Sequence, residues 1–115
     1  MYSKFGQFID GKWSPSSNKE TYEVINPATE EVIGHASKAT SADVDSALKS
    51  AEKGLKVWKK ITPWDRSYIL RRIADKIREK KDVLAKWMTL ENGKPLAEGI
   101  GETNGAADIF EWNAE

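Results

Sequence analysis

The sequence carries one histidine, His35, and no cysteine in 115 residues. Multi-histidine metal sites, thiolate metal sites and a cysteine nucleophile are therefore outside its chemistry. His35 stands in the apolar run Val32-Ile33-Gly34-His35-Ala36, where a lone imidazole beside a strand reads as structural or exposed rather than catalytic. Neither phosphate cradle occurs: there is no G-x-G-x-x-G after a strand and no G-x-x-x-x-G-K-S/T. Gly99-Ile100-Gly101 falls inside a helical pattern instead. The carboxylates sit at helix starts and on polar faces, and nothing marks a pair for general acid–base work. These residues assign no catalytic and no cofactor-binding position.

Charge narrows the partners. The 18 basic and 18 acidic residues cancel, so no overall field draws in nucleic acid or an anionic membrane. Arg66, Arg71, Arg72, Lys76, Arg78, Lys80 and Lys81 do cluster, but Asp65, Asp75, Glu79 and Asp82 lie among them. Phosphate readers need unopposed positive charge, so a solvated, partly ion-paired helix face is the expectation. No apolar run reaches the ~18 residues of a membrane span or the pattern of a signal peptide, and the cytoplasm is the default compartment.

The elements that would position such residues follow from periodicity. Gln7 to Trp13, centred on Asp10-Gly11, predicts a tight hairpin. Thr21–Ile25 predicts a strand stopped by Asn26-Pro27, and Val32–Ala36 a further one. Thr40 and Asp43 match a capping box, followed by Val44, Ala47, Leu48, Ala51, Leu55 and Trp58 at helical spacing. Thr62, Pro63 and Asp65 open a second helix with the stripe Ile69, Leu70, Ile73, Ala74 and Ile77. Asp82 is placed to cap a third helix, which Gly93 ends. A fourth begins at Pro95 and contains Gly99, Gly101 and Gly105. Each interior glycine costs ~0.8–1 kcal/mol relative to alanine, so close backbone packing is needed to offset them. Five tryptophans (Trp13, Trp58, Trp64, Trp87, Trp112) are read mainly as core. The fold class is α+β: a small antiparallel β element over residues 1–40, then about four helices over residues 41–115.

Six blocks in order resemble the aldehyde dehydrogenase superfamily. They are Phe8–Trp13, Ile25–Gly34, Asp43–Ala47, Trp58–Lys60, Arg66–Leu70 and Leu90-Glu91-Asn92-Gly93-Lys94-Pro95-Leu96-Ala97-Glu98. The closing block, Gly101-Glu102 with Ala106–Glu115, is similar to succinate-semialdehyde dehydrogenases. The resemblance implies the front portion of a much longer oxidoreductase of α/β fold. Residues 41–115 would then be the helical part of its cofactor-binding domain. The nucleophilic cysteine, the glutamate base and the cofactor-binding turn would lie downstream. It further implies NAD or NADP in the full-length parent and none for this chain alone. The remainder of the enzyme would be its partner, in a homo-oligomer.

The resemblance also supplies site candidates. A structural monovalent cation would lie near Ile25, with a carboxylate from Glu91. Ala106, Ile109, Phe110 and Asn113 would line the aldehyde entrance tunnel. A non-enzymatic helical interaction module is the other class of reading, with the last helix's glycines and the surplus tryptophans as its contact face.

Overall fold

Four short strands precede four helices because turn residues interrupt the first forty positions, whereas helical spacing runs almost unbroken afterwards. The computed structural model describes residues 6–115. The chain runs β1 (Gln7–Ile9), β2 (Lys12–Ser14), β3 (Thr21–Ile25), β4 (Val32–Ser37), α1 (Ser41–Trp58), α2 (Pro63–Glu79), α3 (Lys81–Asn92) and α4 (Leu96–Trp112). It divides into two compact units, one running to Lys60 and one spanning Ile61–Glu115. The change from strand to helix and the division into packing units fall at different places, because α1 groups with the strands.

In the first unit the strands form two separate antiparallel pairs, β1–β2 and β3–β4. Asp10 and Gly11 both take positive φ (53° and 76°), as a two-residue hairpin turn of matching twist requires. Phe8 faces Trp13 across the pair, with ring centroids 5.1 Å apart. A Cβ on Gly6 would fall 2.0 Å from the Ser14 carbonyl oxygen, so glycine is obligatory there. In the second pair the register shifts between Val24 and Ile25, which pairs with Val32. The connecting loop is closed by Asn26, whose side-chain oxygen accepts from the Ala28 amide at 3.0 Å.

The capping box on α1 forms, and its carboxylate does more than cap. Asp43 accepts from the Thr40 backbone amide at 2.8 Å, while Thr40 Oγ1 accepts from the Asp43 amide at 3.2 Å. The same carboxylate accepts from the Ser17 amide at 3.2 Å and from Gln7 Nε2 at 3.3 Å. Asp43 thus ties β1 and the β2–β3 connector to the start of α1. The unit buries little: Ser16 is its one buried residue among those described, while Val44, Leu48 and Leu55 remain exposed.

The second unit holds the apolar core, built of small side chains: Ala74, Ala85, Ala107 and Ala114. Thr62 caps α2 and Pro63 opens it, but Asp65 accepts from the Thr62 hydroxyl at 2.7 Å rather than closing a full box. The expected cap at Asp82 does not form. Lys80 sits between α2 and α3 (φ −101°, ψ 9°), its N–H bonded back to Lys76 and Ile77 carbonyls, so α3 starts at Lys81. Asp82 lies inside the first turn, where its charge faces the positive end of the helix dipole. Gly93 ends α3 in the left-handed conformation (φ 77°), as expected.

The core-packing reading of the tryptophans does not hold: Trp64 is 85% and Trp112 81% exposed, Trp13 is exposed, and Trp58 and Trp87 are half-buried. Alanine and glycine fill the closest approaches, where an indole has no room.

The Thr40 and Ser17 amides hold the Asp43 carboxyl down, from 3.8 to about 2. A lowered folded-state value contributes stability above the ordinary value that is lost as pH falls through the folded one. Acid titration followed by circular dichroism should therefore show a loss of stability between about pH 4 and pH 2. That increment should be reduced in Asp43→Asn; an unchanged acid transition in the variant would contradict the role of this node.

Candidate functional site

The second unit is arranged around α4, which packs on both α2 and α3. Its buried side carries Gly99, Thr103 and Ala107 at four-residue intervals, one stripe of a helix. Gly99 is the closest approach: a Cβ there would meet the Ala85 carbonyl oxygen at 3.0 Å and Ala85 Cα at 3.3 Å. Thr103 is buried beside it and satisfies its hydroxyl by donating to the Gly99 carbonyl at 2.8 Å. A Cβ on Gly101 or Gly105 would meet nothing within 4 Å, so only one of the three glycines is explained by packing within this unit.

A groove of about 460 Å³ opens where α2, α3 and α4 meet. Ile77, Leu84, Trp87 and Met88 supply its apolar floor, with Thr103 and Ala106 from α4. Glu91 and Glu102 stand on it as carboxylates. Lys94, just before α4, donates to Glu102 at 2.6 Å, leaving Glu91 without an ion pair among the described residues. The Thr89 hydroxyl on α3 is buried with no hydrogen-bond partner among the described residues. Such an orphaned group costs ~1–3 kcal/mol.

On another side α2 and α4 are joined by charge. Arg78 donates to Asp108 at 2.8 Å and to Glu111 at 2.5 Å, and those carboxylates, Glu111 foremost, raise its pKa. Arg71 lies 3.7 Å from Glu111 and also pairs with Glu115. Lys76 pairs with Glu79 along α2 and holds that carboxyl below its usual range. Arg72 lies over the Tyr68 ring at 5.7 Å. The basic face is thus partly ion-paired, as expected: Arg71 and Arg78 pair with acids of α4 and Glu115 beyond it, and Lys76 with Glu79 on α2.

The site candidates fall as follows. Glu91 and Ala106 line the groove together. Ala106, Ile109, Phe110 and Asn113 share one side of α4 by spacing; Ile109 is 65% exposed, Phe110 half-buried, and Asn113 donates to the Ile109 carbonyl at 2.8 Å. Ile25 belongs to β3, at the register shift, and so to the first unit, whereas Glu91 belongs to the second. Among the described residues no three His, Cys, Asp or Glu side chains cluster to hold a metal ion, and no helix is long and apolar enough to cross a membrane. Sequence reasoning missed the groove floor and the Arg71–Arg78 ladder. The ladder had a signal: arginines seven apart, facing acids at 108, 111 and 115.

Residues 13–115 match the aldehyde dehydrogenase family. The chain belongs to that family. It is 44% identical over 108 residues to a glutarate-semialdehyde dehydrogenase of Pseudomonas putida, covering 94% of this chain and 22% of that protein. Over 107 residues it is 40% identical to succinate-semialdehyde dehydrogenase (NADP(+)) 2 of Schizosaccharomyces pombe, covering 93% and 22%. Among solved structures, a betaine aldehyde dehydrogenase of Staphylococcus aureus in complex with NAD+ aligns with a TM-score of 0.91 at 36% identity. That alignment covers 95% of this chain and 22% of the other. The chain therefore spans about a fifth of the length of these dehydrogenases, and its α+β arrangement of strand pairs and four helices is a fragment of their fold.

The glycines of α4 give opposite expectations. Gly101→Ala should stabilise the chain by ~0.4–1 kcal/mol, because the site is open and alanine favours the helix. Gly99→Val should destabilise it by ~1–3 kcal/mol by overpacking against Ala85. Thermal unfolding of the two variants decides; stabilisation by Gly99→Val would contradict the close approach.

Proposed function

We propose that this chain is the N-terminal segment of an NAD(P)-dependent aldehyde dehydrogenase that oxidises a dicarboxylic semialdehyde, succinic semialdehyde first and glutaric semialdehyde beside it. The observation that carries the reading is the likeness of almost the whole chain to glutarate- and succinate-semialdehyde dehydrogenases at 40–44% identity. In such chemistry a thiolate attacks the aldehyde, hydride passes to the nicotinamide and a thioester is hydrolysed. With no cysteine in these residues, the nucleophile must come from other parts of the enzyme. This segment supplies part of the helical layer of the cofactor-binding domain, residues 41–115, and the remainder of the enzyme, in a homo-oligomer, is its partner.

Exposed features support that role. Gly101 and Gly105 open the backbone of α4 to close approach, and Ile109 and Trp112 add apolar area nearby. We place Ala106, Ile109, Phe110 and Asn113 on the wall of the aldehyde entrance. The Glu91 carboxylate is an oxygen donor suited to a hard monovalent cation, and it has no competing ion pair among the described residues. The second reading, a non-enzymatic helical module, draws on the same exposed tryptophans, Trp64 and Trp112.

The purified chain should give no absorbance change at the reduced-nicotinamide band with succinic semialdehyde and either NAD+ or NADP+, and measurable turnover would refute the reading. Sedimentation separates the two classes: a sharp, stable oligomer of the chain favours the module. For the cation, replacing choline by potassium at fixed ionic strength should raise the melting temperature of the wild type and not of Glu91→Gln; equal responses exclude Glu91 as a donor.

A further inference from the structure

The buried side of α4 is made of Gly99, Thr103, Ala107 and, beyond its end, Ala114. The Gly99 approach to Ala85 fixes the face that α4 turns to α3, whereas small side chains offer few interlocking contacts to set its register against α2. Directional contacts come from the other edge. Arg71 and Arg78 are two turns apart on one face of α2, Asp108 and Glu111 share a face of α4, and Glu115 follows just beyond its end. Arg78 takes Asp108 and Glu111, Arg71 takes Glu111 and Glu115, and the helices therefore run antiparallel with Glu111 shared at the middle.

We propose that Arg71 and Arg78, meeting at Glu111, form a register key that sets the rotation and axial position of α4 against α2. They are positioning residues for the opposite side of α4, which carries Ala106, Ile109 and Asn113. The consequence for substrate rests on the reading above that this side borders the aldehyde entrance; the key itself does not.

Neighbouring settings lose carboxylate partners. Sliding α4 by one turn, ~5.4 Å, so that Asp108 takes the place of Glu111, leaves Arg78 facing Gly105 and Asp108, with one carboxylate instead of two. Turning it by one position puts Phe110 or Trp112 where Glu111 stands. The Arg78 and Glu111 side chains are 36% and 43% exposed, so solvent screens them and their contribution to overall stability is small.

The test is a double-mutant cycle in the 115-residue chain, Arg78→Met with Glu111→Gln, read by amide hydrogen exchange and chemical shifts along residues 106–113. Each single variant should speed exchange about two- to fivefold, the range expected for a half-exposed ion pair. The double variant should be no faster than the faster single one, and Arg78→Lys should restore part of the protection. Additive effects, or shifts at Ile109 and Asn113 that do not move, overturn the key. The second arm grafts this segment into the Pseudomonas putida glutarate-semialdehyde dehydrogenase. There Arg78→Met should raise the aldehyde KM about two- to fivefold with kcat and the cofactor KM unchanged. A rise in cofactor KM instead overturns the positioning role. A graft inactive before any substitution counts against the proposed function, while the exchange cycle still decides the key.

Discussion

The close backbone approach of α4 to α3 at Gly99 and Ala85 is the contact on which the helical unit depends. Because the two backbones nearly touch, only glycine and alanine fit there, and the unit's core is accordingly composed of Ala74, Ala85, Ala107 and Ala114. Removing little apolar area from water, such a core gives limited hydrophobic stabilisation per residue. It also decides where the large side chains go. Trp64, Tyr68, Ile109 and Trp112 lie on the outside, away from the closest approaches, which only small side chains occupy.

The first unit meets the same shortage differently. Two-stranded pairs are marginal in water, and no apolar side chain is fully buried among its described residues. Its joints are polar: the Asp43 carboxylate gathers the Thr40 and Ser17 amides and the Gln7 side chain, and Ser16 is buried while donating to the Glu20 carbonyl at 2.9 Å. Charge-assisted bonds of this kind fix geometry well and supply modest net stability. Both units therefore combine well-formed local structure with wide apolar exposure, the balance expected of a segment about a fifth as long as the dehydrogenases it matches.

Much of the local structure was legible in particular residues. Asp10-Gly11 marked the hairpin, Asn26-Pro27 the end of β3, Thr40 and Asp43 the start of α1, and Gly93 the end of α3. Each is a short-range effect, in which a side chain or a backbone preference acts within about four residues. Asp82 misled for a reason of the same kind: the Lys80 amide finds carbonyls in the preceding turn, so α2 passes almost directly into α3 and no side-chain cap is needed. The groove was less legible. Leu84, Trp87 and Met88 are plain apolar positions on a helix, and nothing local says that they face Thr103 and Ala106.

By itself the sequence determined the order of the elements and most of their limits, that these residues hold no thiol and one imidazole, and the family to which the chain belongs. These depend on residue identity and near-neighbour spacing. Tertiary structure alone decided that Gly99 is indispensable to packing while Gly101 and Gly105 stay open, and that the tryptophans lie largely outside. It alone paired Arg71 and Arg78 with carboxylates some thirty to forty-four residues away. Those outcomes depend on which helix faces meet, a matter of distance in space that periodicity along one chain does not encode.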